Sequence, residues 1–124
     1  MPHKILIVED NENNRRLVRD VLVYYGYETI EAENGEEGIK KAKEHKPDLI
    51  LMDVQMPVMN GYEATKALKN DPVTKHIKIV AVTSFAMLSD REQILKAGAD
   101  DYIAKPINTR ELPERVKKLL SEDI

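Results

Sequence analysis

With 124 residues, the chain suits one compact domain, expected to span residues 1–124, and is too short for two. A composition of 42% hydrophobic and 33% charged residues excludes a disordered tail. The formal charge of −3 supplies no basic stripe for nucleic acid, and the absence of cysteine excludes disulfides and thiolate metal sites.

The start, Met1-Pro2-His3-Lys4, does not read as a signal peptide, and no apolar run approaches the length of a membrane span. These features fit a cytoplasmic protein with neither a membrane nor a nucleic-acid partner. Two kinds of segment then alternate. Ile5-Leu6-Ile7-Val8 is a short strand. Asn11 to Tyr25 carries Leu17, Val18, Val21 and Leu22 at helical spacing, and Gly26 stops it. Tyr27 to Ala32 reads as a weaker strand whose polar content suits a sheet edge. Asn34-Gly35 is a turn signal before a helix over Glu36 to His45, which Lys46-Pro47 ends.

Asp48 to Asp53 is a strand of continuous apolar character, expected to be buried on both faces. After the loop from Val54 to Met59, Asn60-Gly61 opens a helix that stops before Asp71-Pro72. Ile77 to Thr83 is the fourth strand, Ala86 to Ala97 the fourth helix, and Asp101 to Ala104 the fifth strand. Asn108 to Leu120 is the last helix, with Leu112, Val116, Leu119 and Leu120 on one face. Pro113 is a misfit there, because beyond a first turn it removes a backbone hydrogen bond. A later start or a distorted first turn is expected. Five strands alternating with five helices predict an α/β fold with a mainly parallel sheet and helices on both faces.

Parallel strands bring their carboxyl ends to one edge, where open α/β sheets bind ligands. That edge would collect Glu9-Asp10, Asp53, Thr83-Ser84 and Lys105-Pro106. Three neighbouring acids raise one another's pKa unless a cation sits among them. The oxygen-rich set favours a hard ion, with Mg²⁺ the natural choice. A carboxylate such as Asp53 beside Mg²⁺ can act as a nucleophile toward phosphorus, with Lys105 neutralising charge and Thr83 donating its hydroxyl. Each part also has an ordinary structural use. Glu9-Asp10 suits a helix N-terminus, Asp53 a strand end, Thr83-Ser84 a cap and Lys105 a solvated surface.

The order Ile5-Leu6-Ile7-Val8-Glu9-Asp10-Asn11, Asp48-Leu49-Ile50-Leu51-Met52-Asp53 followed by Met56-Pro57 and Asn60-Gly61, Val82-Thr83-Ser84, and Ala97-Gly98-Ala99-Asp100-Asp101-Tyr102-Ile103-Ala104-Lys105-Pro106 resembles the receiver domain of two-component response regulators over essentially the whole chain. The resemblance implies a flavodoxin-like three-layer (βα)5 sandwich with strand order 2-1-3-4-5. It implies that Asp53 accepts a phosphoryl group from a histidine kinase or histidine phosphotransferase. Asp10, Asp53 and the backbone carbonyl of Gln55 would hold Mg²⁺. Glu9 stands where the family more often has Asp, and would act through water. Lys105 would contact the phosphate, and the Lys105–Pro106 peptide is expected to be cis. Thr83 and Tyr102 match a switch pair that reports to the fourth helix, fifth strand and fifth helix. A core tyrosine is the plain alternative for Tyr102.

Such a domain is a signalling protein rather than an enzyme, although it catalyses its own phosphoryl transfer and dephosphorylation. Gln55 and Phe85 fall at positions that tune phosphoryl lifetime in the family. The stretch Thr83-Ser84-Phe85-Ala86-Met87 resembles the cell-cycle and hybrid-kinase receivers more than the motor-binding ones. Met87 and Leu88 are candidates for a partner surface or for core contacts. The chain reads as a stand-alone regulator or a piece of a longer one, acting on an unnamed downstream protein as a monomer or weak dimer. Other readings stay open. A flavin-binding domain lacks its Gly-rich loop here, and an Asp-nucleophile phosphatase would carry an acid where Gln55 stands. A non-phosphorylated interaction module is the third.

Overall fold

The computed structural model describes residues 3–54, 60–83 and 88–121, the first four residues of the last segment by backbone alone. In chain order the elements are β1 (Lys4–Val8), α1 (Glu12–Tyr24), β2 (Glu28–Ala32), α2 (Gly35–His45), β3 (Leu49–Asp53), α3 (Gly61–Lys69), β4 (Lys78–Thr83), α4 (Leu88–Lys96), β5 (Asp101–Ala104) and α5 (Glu111–Ser121). All pairings are parallel, and the strand order is β2-β1-β3-β4-β5. This is the doubly wound order expected, with β2 on an edge as its polar residues suggest.

Strand alternation divides the core into two layers. Ile5, Ile7, Leu49, Leu51, Val80, Val82 and Ile103 face α1 and α5, meeting Val18, Leu22, Leu112 and Val116. Leu6, Val8, Ile50, Met52 and Ile79 face the other way, onto Ala42 of α2 and Ala64 and Leu68 of α3. A third cluster extends that second layer to α4 through Val54, Ala81, Ile94 and Ala99, with Tyr62 and Tyr102 packed against it. β3 is buried at every residue because both layers cover it.

Element ends follow side-chain capping. Asn11, Asn34 and Asn60 each accept a hydrogen bond from the backbone N–H three residues on, opening α1, α2 and α3. Gly26 adopts φ +90° just after α1, a conformation that favours glycine. α5 begins three residues later than Asn108. Asn108 Oδ1 accepts from the Arg110 and Glu111 backbones, so Pro113 falls in the first turn, where its missing N–H costs nothing. α4 begins at Leu88, and the expected residues Ala86 and Met87 lie outside the described residues.

At the amino edge of the sheet, Lys69 Nζ donates to the Ile77 carbonyl at 2.8 Å and to Asp100 Oδ2 at 3.0 Å. Gly98, at φ +108°, packs against the Lys69 stem. This clamp joins the end of α3, the start of β4 and the α4–β5 turn.

Candidate functional site

The chain leaves β1 toward β2 on one side and β3 on the other, so the crevice beyond the carboxyl ends of β1 and β3 is the topological switch point. Glu9 and Asp10 follow β1, and Asp53 closes β3. Glu9 and Asp53 are 5% and 2% exposed, while Asp10 opens to solvent. The three offer carboxylate oxygens that all lie within 4.8 Å of one another. Lys105, immediately after β5, reaches across, with Nζ 3.1 Å from Asp53 Oδ1 and 3.3 Å from Glu9 Oε1. The Lys105–Pro106 peptide is cis.

One lysine cannot balance three acids. Burial of Glu9, reinforced by the neighbouring Asp53 carboxylate, pushes the Glu9 pKa up to about 8, against the opposing pull of Lys105 and of the Asn14 side chain. Burial alone would disfavour the Lys105 ammonium. The carboxylates of Asp53 and Glu9 outweigh it and raise the lysine's pKa. Glu9 Oε2 is buried with no hydrogen-bond partner among the described residues. An oxygen-only set that is short of positive charge, with one buried oxygen unsatisfied and one side open to water, fits a hard divalent cation.

The backbone below the site is tightly built. Asp53 pairs with Val82 in the ladder, and Val54 N–H donates to the Val82 carbonyl at 3.0 Å. Gly61 N–H donates to the Val54 carbonyl at 3.1 Å, and a Cβ at Gly61 would collide with the Asp53 carbonyl oxygen and Val54 Cα. α3 therefore packs directly on the peptide that carries Asp53.

Thr83 ends β4 fully buried, and its carbonyl accepts from Lys105 N–H at 2.8 Å. Ala81 pairs with Tyr102 and Thr83 with Ala104, so Thr83 and Tyr102 project from the same sheet face. Tyr102 is half-buried against Val54, Ala81, Ile94 and Ala99. Glu9, Asp10, Asp53, Thr83 and Lys105 thus gather at one edge, with Tyr102 behind Thr83. Gln55, Phe85, Met87 and the Leu88 side chain lie outside the described residues.

Sequence reasoning missed Asn14, whose side chain favours the ionised form of Glu9, and Arg15, which donates to the Glu9 carbonyl at 2.9 Å. It also took Gly61 only as a helix opener. The run Asn11-Glu12-Asn13-Asn14 gave a partial signal for Asn14, since one turn of helix returns to the acidic pair.

The response regulator receiver domain profile matches residues 5–117. The chain belongs to the response regulator receiver domain family. Among the relatives of this receiver, the polar-differentiation response regulator DivK of Brucella anthropi is 48% identical over 122 residues, 98% of this chain and 99% of that protein. A response regulator structure from Chloroflexus aurantiacus superposes with a TM-score of 0.93 at 36% identity, covering 98% of this receiver and 99% of that chain. The receiver domain of a sensor histidine kinase from Pseudomonas aeruginosa PAO1 matches with a TM-score of 0.90 at 33% identity, over 98% of this receiver and 99% of its own chain. That domain was solved with a magnesium ion coordinated in its active site cleft. Among the described residues, no helix of the receiver is long and apolar enough to cross a membrane.

Proposed function

We propose that this receiver accepts a phosphoryl group on Asp53 from a phosphohistidine of a histidine kinase or histidine phosphotransferase. The carrying observation is the buried Asp53 carboxylate, held 3.1 Å from Lys105 beside the Glu9–Asp10 pair. An Asp53 carboxylate oxygen attacks phosphorus, a P–O bond forms and the P–N bond to the donor imidazole breaks. The donor imidazole leaves with the electron pair and takes up a proton.

Asp10 and Asp53 would hold Mg²⁺ with the backbone carbonyl of Gln55, and Glu9 would act through water. Bound there, the ion would offset charge on the acids and on the phosphoryl oxygens. Lys105 would follow the phosphoryl group, a role supported by its ammonium bridging Asp53 and Glu9. Phosphorylation brings roughly −1.5 to −2 charge units to Asp53, by analogy with hydroxyl phosphates. Thr83 then donates its hydroxyl toward the phosphate, and Tyr102, on the same sheet face, turns inward behind it. The α4-β5-α5 face carries the change to a downstream protein. The likeness to DivK and to a sensor-kinase receiver supports a phosphorelay role of this kind.

Incubation with acetyl phosphate and Mg²⁺ followed by intact mass tests the reading. One phosphoryl addition is expected, absent in Asp53→Asn and in excess chelator. No addition, or addition that persists in Asp53→Asn, overturns it.

A further inference from the structure

The peptide joining Glu9 to Asp10 is where the acidic pair acquires its direction. β1 stops at Val8, and the Glu9 N–H makes the last contact with β2, donating to the Ala32 carbonyl at 3.0 Å. β2 ends at Ala32, and the chain enters α2 at Gly35, so β2 offers no further ladder donor to the Glu9 carbonyl. Arg15 supplies one. Its Nη1 donates to that carbonyl at 2.9 Å, and its Nε donates to Glu31 Oε1 at 3.2 Å. The Arg15 side chain is only 12% exposed, unlike that of Arg16, which is 60% exposed and pairs with Glu12.

Glu31 is itself fixed. Arg19 Nη1 reaches its other carboxylate oxygen at 3.3 Å, and Lys41 donates to its backbone carbonyl. The planar, forked guanidinium can hold a carbonyl and a carboxylate at once, which an ammonium cannot do in fixed geometry. Because the peptide unit is planar, fixing the Glu9 oxygen fixes the amide of Asp10 on the other side of the same bond. That sets the direction from which Asp10 leaves the backbone.

We propose that Arg15, braced by Glu31, is a positioning residue that aims Asp10 into the cation site. The proposal rests on the reading of that site given above. Removing Arg15 leaves the Glu9 carbonyl without its donor and lets the Glu9–Asp10 peptide rotate. The acids remain, but they are no longer arranged in advance for a cation. Partners that orient ligating groups are typically worth about 10- to 100-fold in metal affinity.

The test is calorimetric Mg²⁺ titration of the whole chain, with wild type, Arg15→Met, Arg15→Lys and Arg16→Ala compared at one pH. Arg15→Met is expected to weaken Mg²⁺ binding about 10-fold or more. Arg15→Lys recovers part of that loss, and Arg16→Ala binds as wild type does. In parallel, the acetyl phosphate reaction of Arg15→Met should need more Mg²⁺ for half-maximal rate, yet approach the wild-type rate at saturation. A purely structural role would instead lower thermal stability without this split. A folded Arg15→Met that binds Mg²⁺ within about twofold of wild type overturns the proposal. If that variant does not fold, Arg15→Lys decides it by the same criterion. Wild type that fails to bind Mg²⁺ overturns the cation site itself, and this assignment with it.

Discussion

At the residue scale, Glu9 shows what the crowding of acids costs. The folded chain keeps a proton on Glu9 up to about pH 8, whereas a glutamate in water ordinarily loses it near 4.5. Between those values the folded state binds more protons than the unfolded state. The stabilising contribution of this proton is therefore complete below the unfolded pKa and is lost as pH rises through the folded one. In chelator, the urea midpoint should fall between about pH 5 and pH 9, and Glu9→Gln should flatten that fall. Mg²⁺ should restore wild type most at the alkaline end, where Glu9 is readily ionised. An unchanged slope in Glu9→Gln would assign the pH dependence elsewhere. Glu9, Asp10, Asp53, Thr83 and Lys105 were legible in the sequence because each ends or follows a strand. Arg15 was not, since a helix arginine next to Arg16 reads as solvated until folding brings it to Glu31 and the open end of β1.

Elements set the site through their ends. Strand cores were legible from runs such as Leu49-Ile50-Leu51-Met52, buried on both faces. For the last helix, Pro113 left either a later start or a distorted first turn open, and the helix takes the later start. How closely α3 approaches β3 was not legible, since Asn60-Gly61 states a cap and a turn but not what lies beneath them. Gly61→Ala tests that approach. The clash is with the Asp53 carbonyl and Val54 Cα, backbone atoms that cannot swing aside. The variant should lose about 1–3 kcal/mol in urea unfolding, the usual range for overpacking. It should also accept phosphoryl groups more slowly, because α3 can be relieved only by displacing Asp53. Wild-type stability would mean that α3 lifts away freely.

Across the whole molecule, the two layers have different tasks. α1 and α5 close a large apolar layer, while on the other face Tyr102 packs half-buried against Val54, Ala81 and Ala99. A side chain with that partial cover can change place without opening the main core. Thr83→Ala should still gain phosphoryl mass on Asp53. It should lose most of the phosphorylation-dependent change in the Tyr102 ring resonances, measured by NMR. A full Tyr102 response in Thr83→Ala would show that the signal leaves the site by another route. The sequence indicated this pairing only through resemblance; spacing alone could not place positions 83 and 102 on one face, because that follows from the β4–β5 register.

The clamp at the opposite edge gives the molecule a fixed end. The Lys69 ammonium is held by the Ile77 carbonyl and Asp100, and its side chain is 20% exposed. An amine committed in this way is a poor target for acylating reagents, whereas the exposed Lys66 on the same helix reacts freely. The labelling rate of Lys69 therefore serves as an internal clock for opening at the amino edge, separate from any movement at the edge where the acids gather.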